Sequence, residues 1–300
     1  MNDWFFDGKG EPDPETAALA EQLRKPYQGS PPELPQRHSW RRWALPLAAT
    51  AMLAAGLAFA LRGPPLPTWE ITLLDGPSPC GRADCALAVG DWLETGAVTT
   101  VRLAVADIGS MVVAPGSRLR LAETGPAQHR LELRQGRVDA QVVAPPRLLV
   151  VDTPSARAVD LGCAYTLEVD AAGDGTLAVT SGYVALEGEH RTVTVPRGAT
   201  ARLRGKGGPA TPIWMDAGPE FGVALVALDN GGPLAPVLEH ARPVDTLSLY
   251  HLLDRPDKAE VLDRIQALVP AAAELDRAPL LSGDAASRAV LWDVLYGAWE

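Results

Sequence analysis

Histidine is scarce in this chain and scattered: His38, His129, His190, His240 and His251 are the five among 300 residues. None belongs to a His-Glu-x-x-His zinc signature, and no Gly-x-Ser-x-Gly nucleophile elbow occurs anywhere. Each histidine therefore reads as a surface or lightly packed residue. Gly205-Lys206-Gly207-Gly208 lacks the upstream glycine and the following Ser or Thr of a phosphate loop, so it reads as a charged turn. Asp139, Asp152, Asp160, Glu168 and Asp170 form a carboxylate cluster on paper. Strand alternation assigns them to a solvated face. No catalytic, cofactor-binding or metal-ligating residue is assigned, and the chain reads as a non-enzyme. Basic excess is also lacking: the formal charge is -10, with no basic stripe interleaved with aromatics. That excludes nucleic acid as an expected partner.

Long apolar runs are lacking too, with one exception. Trp43 to Leu61 (WALPLAATAMLAAGLAFAL) carries no charge, and at ~1.5 Å per residue it reaches across a ~30 Å hydrocarbon core. A buried core helix is the weaker alternative. Arg37, Arg41 and Arg42 precede the span and Arg62 alone closely follows it, which places the N-terminus in the cytosol. Ala58-Phe59-Ala60 resembles a signal-peptide cleavage site. The long preceding arm favours an uncleaved anchor.

Cysteine is limited to three residues, all beyond that span. Cys80 and Cys85 frame the loop Cys-Gly-Arg-Ala-Asp-Cys, which reads as a small disulfide ring in an oxidising compartment. A metal pair is the alternative, without a second pair at ligand spacing. Cys163 sits in an alternating strand pattern and reads as a buried, inert thiol.

The chain divides into a tail (residues 1–42), the span (43–61), a proline-rich spacer (62–67), a β region (68–212) and a helical region (213–300). In the tail, Asp13-Pro14-Glu15 opens a short helix, with Ala17, Leu19, Ala20 and Leu23 on one face. Trp4-Phe5-Phe6 is either a sticky terminus or a partner anchor. Together Trp4, Phe5, Phe6, Leu19 and Leu23 are the candidate partner-binding residues.

From Thr68 to about Arg204 apolar residues alternate with polar ones: Leu131 and Leu133; Val138, Ala140 and Val142; Tyr165, Leu167 and Val169. Turns at Pro115-Gly116-Ser117, Gln135-Gly136, Gly173-Asp174-Gly175 and Ser181-Gly182 punctuate them. The expected fold class is mainly β: an antiparallel sandwich or roll of short strands, with one transmembrane helix and a small C-terminal helical region. Leu161, Tyr165, Leu167, Val179 and Val184 are its expected core. Glycine precedes a strand valine by two residues at Gly96, Gly136 and Gly182, where a backbone turn is needed. Beyond Pro212, helices are expected over Thr246–Leu253, Lys258–Leu268 and Asp284–Leu295, broken by Pro270 and the Pro279 region. Val261, Ile265 and Leu268 face inward on one; Val290, Leu291, Val294 and Leu295 do so on another.

Laid out in order, these pieces resemble the FecR domain of bacterial envelope regulators, over about Val89 to Leu203. The matching stretches are Gly90-Asp91-Trp92-Leu93-Glu94-Thr95-Gly96, Ala106-Asp107-Ile108-Gly109-Ser110, Pro115-Gly116-Ser117-Arg118-Leu119 and Leu131 to Val138. Further on they are Val151-Asp152-Thr153-Pro154, Val159 to Leu167, Val179 to Val184, and Pro196-Arg197-Gly198. Gly162-Cys163 stands where the family has Gly-Thr, and the tail is shorter than in sigma-regulating members. The resemblance implies a periplasmic β domain anchored in the bacterial inner membrane by a single pass. It also implies a cytosolic sigma factor as partner of the tail, in anti-sigma-like signal transduction. The alternative is an envelope module that binds a protein or polysaccharide without signalling.

Overall fold

The computed structural model describes residues 14–24, 68–81 and 84–299. It divides into two units, Met1–Gly63 and Pro64–Glu300. In the first, α1 spans Pro14–Arg24, with Pro14 at its first position and Glu15 in its first turn. Asp13, Trp4, Phe5, Phe6 and the whole Trp43–Leu61 segment lie outside the described residues. Among the described residues, no helix is long and apolar enough to cross a membrane.

The second unit begins with β1 (Thr68–Asp75), β2 (Asp84–Ala88), β3 (Trp92–Glu94), β4 (Thr100–Val105), β5 (Gly109–Val113) and β6 (Arg118–Thr124). The long β7 (His129–Val142) follows, then β8 (Leu149–Asp152), β9 (Arg157–Asp160), β10 (Ala164–Val169) and β11 (Gly175–Ser181). The last strands are β12 (Tyr183–Glu187), β13 (Thr192–Pro196), β14 (Ala199–Arg204), β15 (Gly208–Pro209) and β16 (Ile213–Trp214).

β7 organises all of them. Its second half pairs with β5 and β10 in a sheet ordered β2-β1-β4-β5-β7-β10-β11-β14. Its first half pairs with β6 and β8 in another, ordered β3-β6-β7-β8-β9-β12-β13. The inward side chains of β7 change parity where the strand passes between sheets. Leu131 and Leu133 are buried before the bend, Val138, Ala140 and Val142 after it. Because side chains alternate with period two, only an irregular residue lets both halves face one core. Tyr165, Leu167, Val179 and Val184 are buried in that core.

Two expectations about the β region are corrected. The sheet is mixed rather than purely antiparallel, since β7 and β8 run parallel. A chain leaving the far end of β7 must cross back to enter the second sheet, and so it re-enters in the same direction. Nor are all strands short, because β7 serves two sheets with 14 residues. Leu161 is only half-buried and joins a small cluster of Val150, Val159 and Ala185 outside the main core.

The helical region contains the three expected helices: α4 (Thr246–Leu252), α5 (Lys258–Leu268) and α8 (Ala285–Tyr296). It also contains four that the sequence reading omitted: α2 (Pro219–Asp229), α3 (Ala235–His240), α6 (Pro270–Ala273) and α7 (Arg277–Ser282). α2 is apolar along most of its length, so it lacks the polar face that marks an amphipathic helix. Pro270 opens α6 rather than only breaking the chain, since a missing N–H costs nothing at the first helical position. These helices enclose a second core around Phe221, Leu225, Leu249, Leu262, Ile265 and Leu291. Val290, expected to face inward, is exposed.

Candidate functional site

Two backbone junctions hold the sandwich, and both use the residues that carry the family resemblance. At the first, the Thr95 hydroxyl donates to Ala114 O (2.7 Å) and accepts from Ser117 N (2.8 Å). The Ser117 hydroxyl oxygen accepts from Arg137 N at 3.1 Å. Gly136 has a φ of +102°, and a Cβ there would sit 2.2 Å from Ser117 Oγ and 2.4 Å from its Cα. Only glycine fits that bend.

At the second junction a Cβ on Gly182 would fall 2.2 Å from Gly162 O. Beneath it lies Asp160, which is 1 % exposed. Its carboxylate accepts from Gly162 N (2.6 Å) and from the Cys163 thiol (2.9 Å). The solvated face expected for Asp160 is wrong because β9 buries Ala158, Val159 and Asp160 in succession, leaving no alternation to read. Burial raises the Asp160 pKa, against the pull of its hydrogen bonds from the Cys163 thiol and from the backbone of Gly162 and Cys163. Burial, with the Asp160 carboxylate beside it, pushes the Cys163 thiol up, so the thiol is not activated as a nucleophile. The buried Tyr165 hydroxyl has no hydrogen-bond partner among the described residues.

A seam joins the sandwich to the helices of the same unit. Leu247 of α4 inserts into the β core, while Thr246 and Ser248 beside it are fully buried. Ser248 Oγ donates to Pro212 O at 2.6 Å. The indole N–H of Trp214 donates to Val244 O (2.6 Å) and that of Trp299 to Thr246 Oγ1 (3.0 Å). Arg191 donates to His251 O at 3.1 Å. His251 Nε2 lies 3.1 Å from Thr194 O and donates to it when that nitrogen carries the proton. Its ring meets Tyr250 and Trp292 edge-on. Burial, reinforced by Arg191, lowers the His251 pKa to about 3 and keeps the imidazole neutral. His129 is likewise packed, bonded to Thr124 Oγ1 at 2.7 Å and set against Trp69. The reading of these two histidines as lightly packed is thus corrected. Tertiary neighbours enclose them, and neither strand nor helix period reveals that.

Where sandwich meets helices, a cleft of about 560 Å³ opens, lined by Ser181, Tyr183, Arg197, Trp214, Tyr296 and Trp299 among others. Sequence reasoning placed Ser181, Tyr183 and Arg197 only in turns and family-like stretches and gave Trp214, Tyr296 and Trp299 no role. A signal was present: Trp292, Tyr296 and Trp299 are spaced four and three apart, which puts three aromatics on one side of a helical end.

Of the sequence-assigned residues, Cys80 and Cys85 are disulfide-bonded. Cys85 lies in β2 opposite Ile71. Leu19 is 50 % exposed on α1, and Leu23 lies in the same helix. Among the described residues, no group of three or more His, Cys, Asp or Glu side chains is placed to hold a metal ion.

No protein-family model matches the chain, and no curated protein matches it. Two crystal structures, at 1.65 Å and 2.50 Å, of a protein described as a "putative anti-sigma factor" from Parabacteroides distasonis ATCC 8503 are similar to it. Each aligns with a TM-score of 0.37 and 13 % identity, over 45 % of this chain and 64 % of the other. The chain thus covers less than two thirds of that protein's length. At that identity and score the likeness assigns no function to this chain.

Proposed function

We propose that this chain is a single-pass, non-enzymatic envelope protein of FecR type. In this reading its β domain lies outside the membrane and its N-terminal tail grips a cytosolic regulator of the sigma-factor class. The observation that carries the reading is α1. Every side chain described on it is exposed, so Ala17, Ala18 and Leu19 are presented rather than packed. A short helix of this length is marginal alone and gains stability from a partner surface. Trp4, Phe5 and Phe6 add the aromatic anchors that dominate small interfaces. The resemblance supports the β domain's part, since its motif residues Thr95, Ser117, Gly136, Gly162 and Gly182 are the ones that close the two junctions.

The test is recovery of a sigma factor with the full-length chain from its own cells. Changing Trp4, Phe5 and Phe6 together to Ala is expected to lower recovery at least about tenfold. Recovery of no sigma factor by the unaltered chain overturns the reading. A reporter fused after Arg204 checks the topology, and a mature protein starting near Leu61 refutes the anchor.

A second reading, an envelope module that binds a polysaccharide without signalling, is favoured by the aromatic cleft.

A further inference from the structure

The cleft between the sandwich and the last helix has the chemistry of a ligand site. Both of its indoles have their N–H groups committed inward, Trp214 to Val244 O and Trp299 to Thr246 Oγ1. What they have left to offer a ligand is ring surface. Trp214 and Trp299 stand 6.0 Å apart, centroid to centroid, and Tyr296 lies 6.1 Å from Trp299. Trp214 and Tyr296 each meet Trp299 edge to face, and Trp292 packs edge-on against Trp299 at 4.9 Å. Orientation of this kind fixes a platform before any ligand arrives.

One charged side chain lines the cleft among the described residues, and it is Arg197. It is exposed, and its guanidinium has no ion pair or hydrogen bond among the described residues. Most arginines on the sandwich are paired, Arg118 with Glu94, Arg120 with Glu132, Arg130 and Arg157 with Asp152, and Arg147 with Glu187. Arg102 and Arg202 share Arg197's lack of a carboxylate partner among the described residues but do not line this cleft. In a chain of net charge -10, an unpaired cation in a cleft lined by no acid marks a place where an anion is favoured. A guanidinium fits a carboxylate bidentately.

The backbone argues against an extended peptide as occupant. A peptide that adds to a sheet needs unpaired strand groups. The strand ends at the cleft are already paired, Tyr183 with Pro196 and Ala199 with Trp214. What remains are π faces and a fork of N–H donors. A pyranose ring offers flat C–H faces to the first, and a sugar carboxylate meets the second.

We infer that this cleft binds a carboxylated glycan, its sugar rings against Trp214, Tyr296 and Trp299 and a carboxylate on Arg197. The inference deepens the envelope-module reading and stands on the cleft alone. It therefore survives or fails independently of the tail's partner.

The probe is hexagalacturonate, titrated into the purified full-length chain and followed by tryptophan emission, with neutral maltohexaose as control. Saturable binding of the acidic probe is expected, with maltohexaose at least about tenfold weaker. Arg197→Gln, at an exposed position, is expected to weaken hexagalacturonate at least about tenfold while leaving the melting temperature unchanged. Tyr296→Ala is expected to weaken it severalfold by removing part of the platform. No saturable binding at about 10 mM, equal binding by Arg197→Gln, or maltohexaose binding as tightly as the acidic probe overturns the inference.

Discussion

In the sandwich, the two junction turns are enforced by close approach of neighbouring atoms. Gly136 and Gly182 each face a neighbouring atom 2.2 Å from where a Cβ would be. In the helical region Gly283 also has a positive φ, +83°, yet a Cβ there meets nothing within 4 Å. Capping follows the same contrast. Two helix starts there are capped by a neighbouring side chain, α7 by Asp276 and α8 by Asp284, which accepts from Ser287 N at 2.8 Å, whereas the Thr95–Ser117 bond spans 22 residues. The β region therefore depends on distant segments meeting, and the helical region on short-range chemistry completed by a shared core. Local elements form readily but are marginal alone. Long-range pairing costs loop entropy first and then locks a single arrangement.

The largest test of that contrast is a buried charge. Val179 is fully buried in the sandwich, so Val179→Asp is expected to cost at least about 4 kcal/mol and unfold it. Val223 on α2 is 73 % exposed, and Val223→Asp is expected to change stability by less than about 0.5 kcal/mol. Urea melts of both variants decide. An unaltered midpoint for Val179→Asp would refute the inward assignment of β11.

Next come the glycines. Gly136→Ala combines a positive φ with a backbone clash and is expected to cost about 3 kcal/mol or more. Gly283→Ala meets only the φ penalty, about 1 kcal/mol. Equal losses from the two would show that the β7 bend relaxes freely.

The smallest effect at neutral pH belongs to the seam. The folded-state pKa of His251 is about 3, below its ordinary 6.5. The unfolded chain therefore binds a proton there that the folded chain does not. Stability is present above pH 6.5 and is lost as pH falls from 6.5 toward 3. The loss by pH 4.5 is on the order of 2–3 kcal/mol. Thermal melts of His251→Gln across that range are expected to lose this slope. A slope that persists in the variant would assign it to other groups.

Much of the sandwich was legible in the sequence, including a feature of β7. Its apolar positions run 131 and 133, then 138, 140 and 142, so the parity change at Gly136 is written in the chain. The burial of Asp160 was not legible, because β9 is covered on both faces and such a strand has no period. α2 escaped for a related reason, an apolar run with no polar face. The cleft escaped because its walls come from segments about a hundred residues apart, Tyr183 and Arg197 on one side and Trp299 on the other.

By itself the sequence determined the strand alternation, the glycine turns, three of the C-terminal helices and the one apolar run, because each is a local period or a local conformational demand. The tertiary structure alone decided that β7 serves two sheets and that β8 therefore runs parallel to it. It also decided that His251 is sealed into a seam and that Arg197 stands unpaired beside three aromatic rings. Those outcomes depend on which distant surfaces meet, and a period of two or 3.6 residues carries no record of the partner.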